Sequence, residues 1–84
     1  MRVDGICKGR TIPFSAHCAP AISAHACCAM ETLVHLEYFH DHVRIEQMLF
    51  DGVLEPVEGC LVPADSPGNG LVFKEADAER FRVR

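Results

Sequence analysis

The segment IPFSAHCAPAISAHACCAMETLVHLEYF, residues 12–39, decides the fold of this chain. Its pattern predicts a short strand, a tight turn that carries His17, a helix of small residues, and a second strand that carries Glu37. A strand–helix–strand unit of this kind gives two parallel strands whose carboxyl ends lie on one edge of the sheet. Ligands of α/β proteins bind at that edge. The segment therefore predicts an imidazole and a carboxylate side by side where chemistry is usually found.

The apolar residues set the expected limits of these elements. Thr11–Ser15 predicts a buried strand, although Pro13 is more typical of an edge strand. Pro20 suits the first turn of a helix, because its missing N–H has no partner there anyway. Residues at helical spacing predict the buried helix face: Ile22, Ala26, Ala29 and Leu33. Alternation over Val34–Phe39 predicts the second strand, with Val34, Leu36 and Tyr38 on one side and His35, Glu37 and Phe39 on the other.

The flanking sequence predicts further short elements. Met1–Arg10 has the pattern of the last part of a helix that stops at Gly9, and Asp41 is placed to cap a helix that Gly52 ends. The inward residues of that second helix are expected from two alternative stripes: Val43, Met48 and Leu49, or Ile45 and Leu49. After residue 53 the sequence predicts a hairpin turn at Glu58–Gly59, a turn over Ser66–Gly70, a strand Leu71–Phe73 and a final helix Glu75–Phe81.

Composition excludes several classes of protein. The 84 residues are 49% hydrophobic and 24% charged, which is typical of a globular protein and not of a disordered one. The net charge of −4, with no basic stripe, disfavours nucleic-acid binding. No apolar run approaches the ~20 residues that span a bilayer, and the first residues do not resemble a signal peptide. We therefore expect no membrane association and a cytoplasmic location.

The cysteines and histidines are candidates for metal ligands or disulfides. Five cysteines form an odd set without framework spacing, and adjacent Cys27 and Cys28 have the pattern of small apolar fillers, so reduced thiols are expected. His25 lies three residues before Cys28, and together with His40, His42, Cys18, Cys27 and Cys60 these are candidate zinc ligands. However, no pair has the spacing of a structural zinc site, and residues two apart do not share a helix face. The sequence favours no metal site in this chain.

A sheet of two parallel strands raises a packing problem. Parallel sheets are covered on both faces, and the small-residue helix would cover only one of them. The sequence therefore has the pattern of part of a larger α/β structure.

Several short motifs carry a resemblance to a known family. Ile12–His17 (IPFSAH), Ile22–His25 (ISAH) and His35–Tyr38 (HLEY) resemble the mandelate racemase/muconate lactonizing enzyme branch of the enolase superfamily. Val62–Pro63 followed by Pro67–Gly70 (PGNG) resembles the closing turn of that branch, with Asn69 replacing the usual apolar residue. The resemblance covers nearly the whole chain and only the last fifth to quarter of such an enzyme.

The resemblance implies a fold and a domain organisation. It implies a C-terminal part of a (β/α)₈ barrel that comprises the end of helix six, strand seven, helix seven, strand eight and the C-terminal tail. Residues 1–52 would then belong to the barrel itself, and residues 53–84 would be the tail of the same domain.

The resemblance also implies a chemistry. Enzymes of the family use Mg²⁺ to hold a substrate carboxylate while a base removes the adjacent α-proton. By position, His17 matches the general base and Glu37 matches the acid that hydrogen-bonds the enediolate oxygen. A neutral imidazole can accept such a proton near pH 7, and a protonated carboxyl group can stabilise the oxyanion. The family's Mg²⁺ ligands, its lysine base and the Asp that orients its histidine would all precede Met1, so no turnover is expected from this chain alone.

Two functions remain open on the sequence. In the first, the chain is part of a dehydratase or racemase that acts on an acid sugar or another 2-hydroxy carboxylate. In the second, it is a non-catalytic module, stabilised by self-association or by a partner, or a degenerate remnant. The Val43–Phe50 stripe is expected to pack in the core; exposure of the stripe would instead favour a dimer surface and a homo-oligomer.

Overall fold

The computed structural model describes all residues, Met1–Arg84, as a mixed α/β chain. Its helices are α1 (Arg2–Arg10), α2 (Pro20–Cys27), α3 (His40–Leu49) and α4 (Glu75–Ala78), the last followed by a 3₁₀ turn over Glu79–Phe81. Its strands are β1 (Phe14–Ala16), β2 (Leu33–Leu36), β3 (Phe50–Asp51) and β4 (Val72–Phe73). They form two sheets of two strands each. None of the helices has the length and apolar content required to cross a membrane.

The predicted strand–helix–strand unit is confirmed. β1 pairs in parallel with β2, with Ala16 opposite Leu36 and an irregularity after Phe14. α2 connects the two strands and has Pro20 in its first turn, as predicted. Cys18 and Ala19 adopt left-handed backbone conformations, with φ of 71° and 44°, and so turn the chain sharply from β1 into α2. Both strands are shorter than predicted, and β2 ends before Glu37.

The predicted buried face of α2 was wrong. The buried residues are Pro20, Ala21, Ala24 and Cys27, whereas Ile22 is 52% exposed and Leu33 belongs to β2. α2 has only eight residues, so a stripe extended to Leu33 exceeds its length. Small side chains face inward because they let the helix approach its neighbours closely.

The core is small and involves the C-terminal segment. Ala21 and Ala24 of α2 form one buried cluster with Leu54, and partly buried Leu36, Leu61 and Leu71 pack against it. The hydroxyl of Tyr38 donates a hydrogen bond to the carbonyl of Leu54 at 3.1 Å. Residues after position 52 therefore return to cover α2.

Three predicted helix boundaries needed correction. α1 continues through Gly9 to Arg10, and Thr11 makes the left-handed turn (φ 53°) while its N–H bonds the Lys8 carbonyl. α3 begins without a side-chain cap, so Asp41 lies in the first turn and not at the cap. α3 also ends at Leu49, because the chain passes directly into β3; Gly52 instead forms the turn after that strand, with φ of 81°.

The predicted C-terminal turns are confirmed. Val57 and Cys60 form an isolated antiparallel bridge around Glu58 and Gly59, whose φ values of 51° and 79° are those of a tight hairpin turn. β4 follows the turn at Ser66–Gly70 and pairs with β3, a strand that the sequence did not predict. α4 and the 3₁₀ turn cover the predicted final helix.

Candidate functional site

His17 and Glu37 come together as predicted, at the carboxyl ends of β1 and β2. Nε2 of His17 lies 3.7 Å from Oε2 of Glu37, and both side chains are about half exposed. The N–H of Glu37 donates to the carbonyl of Ala16 at 2.9 Å, which extends the parallel pairing by one step beyond β2. Because His17 directly follows Ala16, this bond brings the two candidate side chains close together.

The imidazole of His17 has three close neighbours besides Glu37. The ring of Phe39 packs edge-on against it at 5.6 Å, and the ring of His42 lies at 5.5 Å, measured between ring centroids. The sulfur of Cys18 contacts Nδ1 of His17. The two nitrogens of the ring therefore face different groups, a carboxylate at Nε2 and a thiol at Nδ1.

A buried carboxylate, Glu46, lies close to the pair and was missed by the sequence reasoning. Its side chain is only 8% exposed on the inner face of α3, and its Oε2 accepts a hydrogen bond from the Ala21 N–H at 3.3 Å. Burial raises the pKa of Glu46, while the Ala21 hydrogen bond and nearby His42 act in the opposite direction. Neither predicted apolar stripe of α3 included it; Val43 is buried as one stripe predicted, and Ile45 is 45% exposed.

A cavity of about 270 Å³ opens beside the pair. It is lined by residues from the turn before α2 and from α3: Cys18, Ala19, His42, Ile45 and Glu46. A larger cavity of about 480 Å³ lies between α2, β2 and the Val57–Cys60 hairpin. Neither His17 nor Glu37 lines either cavity, but the smaller one is lined by Cys18 and His42, which contact the His17 ring. The smaller cavity is therefore the space next to the site.

The residues present do not fit a magnesium site. No group of three or more His, Cys, Asp or Glu side chains is arranged to hold a metal ion. Near the pair, the carboxylate of Glu46 is already bonded to the Ala21 N–H, and Glu37 lies against His17. Mg²⁺ prefers several oxygen ligands in octahedral geometry, and this chain does not bring such a set together.

The comparisons with known proteins agree with the resemblance. The model of the family described as "Enolase C-terminal domain-like" matches residues 1–77. The crystal structure of a mandelate racemase/muconate lactonizing enzyme-like protein from Rubrobacter xylanophilus is 65% identical, with a TM-score of 0.90. The match covers 94% of this chain and 22% of that one, so the chain spans about a fifth of the related protein's length. No match was found among curated proteins.

Proposed function

This chain belongs to the enolase C-terminal domain-like family, and from that premise we propose that His17 and Glu37 form the proton-transfer pair of a carboxylate-processing active site. The observation that carries the proposal is the 3.7 Å approach of Nε2 and Oε2 at the ends of two adjacent parallel strands. Catalytic side chains of α/β barrels are concentrated at that edge.

The two side chains would have complementary roles. A carbon acid next to a carboxylate is very weakly acidic, so its proton leaves only if the oxyanion that develops is stabilised. His17 as a neutral imidazole would accept the α-proton. Glu37 in its protonated form would donate a hydrogen bond to the enediolate oxygen. Phe39, packed against His17, would restrict the orientation of the base.

The strands and helices of this chain can also be assigned to positions in a (β/α)₈ barrel. We assign β1 and β2 to strands seven and eight of a (β/α)₈ barrel, α1 to the end of helix six and α2 to helix seven. Residues 1–52 would belong to the barrel and residues 53–84 to its tail. The parallel pairing of β1 with β2 and the crossover through α2 support the assignment.

The substrate class and the location follow from the same proposal. The substrate would be an acid sugar or another 2-hydroxy carboxylate that undergoes dehydration or racemisation. This chain does not bring a magnesium ligand set together, so in a whole enzyme Mg²⁺ would be held by other residues. Five free cysteines support a reducing, cytoplasmic location.

A chimeric enzyme tests the proposed roles directly. The 84-residue chain would replace the matching segment of the Rubrobacter protein, a substitution that 65% identity makes practicable. Exchange of the substrate α-proton with solvent deuterium would be followed by NMR over a panel of 2-hydroxy carboxylates with Mg²⁺. We expect His17→Asn to lower exchange by about 10²-fold or more and Glu37→Gln by a similar factor, since each removes a group that acts in the transition state.

Two controls make the chimera decisive. His40→Gln changes an exposed histidine at the start of α3 and should leave the exchange rate unchanged. The 84-residue chain alone should give no exchange above the blank. If His17→Asn exchanged as fast as the unsubstituted chimera, the assignment of His17 as the base would be wrong.

A second candidate function is supported by the exposed surface of the chain. The accessible surface is 6348 Å², whereas a compact monomer of 9.3 kDa exposes about 5,000 Å². The excess is larger than the roughly 800 Å² that a standard protein–protein interface removes from each partner. On this interpretation, the chain is a non-catalytic module that a second copy or a partner stabilises.

A further inference from the structure

Cys18 differs from the other four cysteines in its surroundings. Its sulfur contacts Nδ1 of His17 and lies within 4.0 Å of Nε2 of the same ring. Cys27 is buried, and burial is the main cause of its raised thiol pKa. Cys7 is partly buried and Cys28 and Cys60 are exposed, but none of these three sulfurs makes a hydrogen bond to an imidazole. Cys18 is therefore the thiol with a base beside it.

Glu37 completes a series of three interacting groups. The thiol of Cys18 lies at one nitrogen of the His17 ring, and the carboxylate of Glu37 lies 3.7 Å from the other. A thiol next to an imidazole transfers its proton readily when the imidazolium is stabilised by a carboxylate. The order thiol, imidazole, carboxylate is the arrangement that activates a sulfur nucleophile.

The sulfur is also accessible to a small reagent. Cys18 is partly buried and lines the cavity of about 270 Å³ beside the pair. Its backbone lies in the left-handed turn between β1 and α2, and the hydroxyl of Ser23 donates a hydrogen bond to the Cys18 carbonyl at 2.7 Å. The residue is thus fixed in position at an open space.

We propose that Cys18 is a reactive thiol and a site of covalent modification by carbon electrophiles, with His17 as its base and Glu37 as the group that stabilises the imidazolium. The thiol proton passes to His17, and the sulfur electron pair forms a bond to the electrophilic carbon. The leaving group departs with its bonding electrons. The reaction is a substitution that needs neither a metal ion nor an oxidant or reductant. The proposal rests on the Cys18–His17–Glu37 geometry and does not require the proposed proton transfer on a carboxylate substrate.

Limiting alkylation of the 84-residue chain by iodoacetamide tests the proposal. Iodide is the leaving group. The alkylated fraction of each cysteine would be measured over time by peptide mass spectrometry at about pH 7. At that pH, a thiol next to a general base is alkylated faster than an ordinary thiol. Cleavage after arginine and lysine separates Cys60 from a peptide that holds Cys18, Cys27 and Cys28, and fragment ions distinguish those three. We expect Cys18 to react about tenfold faster than the more exposed Cys28 and Cys60, because the His17 imidazole would accept the thiol proton.

Variants assign the effect to the proposed groups. His17→Asn should reduce the Cys18 rate to that of Cys28, and Glu37→Gln should reduce it by a smaller factor. The rates of Cys28 and Cys60 should stay unchanged, and Cys27 should stay unlabelled as long as the fold is intact. Equal alkylation rates for Cys18 and Cys28 in the unsubstituted chain would overturn the proposal, irrespective of the rates measured for the variants. The deuterium-exchange result of the chimera is independent of this outcome.

Discussion

Glu46 is the residue whose ionisation is most closely linked to the fold. Its carboxylate lies on the buried face of α3 and accepts a hydrogen bond from the first turn of α2. Because burial raises its pKa, the folded state binds the Glu46 proton more tightly than the unfolded chain does. The contribution of Glu46 to stability is therefore largest at low pH and is lost as the pH rises through the folded-state pKa.

Replacement of Glu46 by glutamine should remove that pH dependence. The amide oxygen of the new side chain can still accept the hydrogen bond from the Ala21 N–H, but no charge is buried at neutral pH. We expect the Tm of Glu46→Gln to equal that of the unsubstituted chain near about pH 4 and to exceed it by a few degrees at about pH 7. Thermal unfolding followed by circular dichroism at both pH values measures this difference.

An exposed acid provides the matched control for Glu46. Glu55→Gln removes the same charge from an exposed position and should show no such pH-dependent gain. A Tm for Glu46→Gln that is lower than that of the unsubstituted chain at neutral pH would show that the ionised carboxylate stabilises the fold.

The local sequence predicted part of the site and missed the rest for a physical reason. His17 and Glu37 each follow an apolar run that ends at a sheet edge, so their proximity follows from the strand–helix–strand topology. The burial of Glu46 depends on where α3 lies against α2, and the position of the Cys18 sulfur depends on a left-handed turn that Cys rarely adopts. Such features come from tertiary packing and are not encoded in a short motif.

At the scale of elements, the sharp turn between β3 and the segment that leads to Leu54 depends on Gly52. Its φ is 81°, and a Cβ at this position would lie 2.1 Å from the carbonyl oxygen of Gly70. That oxygen belongs to the turn that leads into β4, the partner of β3. A side chain at position 52 would therefore force the Gly70 carbonyl to move, and with it the turn that leads into β4.

Gly52 and Gly59 have similar backbone angles but different surroundings. Gly59→Ala, at φ 79° with open space around it, should cost about 1–2 kcal/mol for the left-handed conformation alone. Gly52→Ala should cost at least about 3 kcal/mol, because backbone must also move. Urea unfolding of the two variants measures both free energies. Equal costs would show that the β3–β4 sheet adjusts easily around position 52.

Elements differ in how well the sequence determined them. α2 was placed correctly by Pro20, but its inward face was not, since the apolar spacing of Ile22 and Leu33 suits a longer helix than the one that forms. α1 has no buried residue. Asp4 instead accepts bonds from the N–H and hydroxyl of Thr32, which attaches α1 to the start of β2. A contact between residues 28 positions apart is not visible in a helical pattern.

At the scale of the whole molecule, the chain is less compact than an independent domain. Its radius of gyration is 14.8 Å, whereas a compact chain of 84 residues has about 12 Å. Only 8 of 84 residues are buried, and apolar side chains such as Val34 (64% exposed) and Ile22 (52% exposed) face outward. Such a surface is stabilised when another chain, or further barrel elements, cover it.

Self-association of the isolated chain is the expected result. Sedimentation velocity over a range of micromolar concentrations should show a mass that increases with concentration. Val34→Lys, on the exposed side of β2, should weaken the association by about tenfold or more, since a charge would enter the covered surface. Val83→Lys, at an already 94% exposed terminal position, is the matched control and should have no effect. A monomer at every concentration would contradict stabilisation by a second copy and leave only a different partner for the second candidate function.

The parallel sheet leaves one edge of β1 and one edge of β2 without a neighbouring strand. The backbone N–H and C=O groups on such edges can hydrogen-bond any extended peptide that reaches them, which makes open edges the starting points of fibril growth. Pro13 precedes β1 and limits pairing at that end, while β2 has no proline or lysine within it. In this chain, β2 therefore presents the less protected of the two open edges.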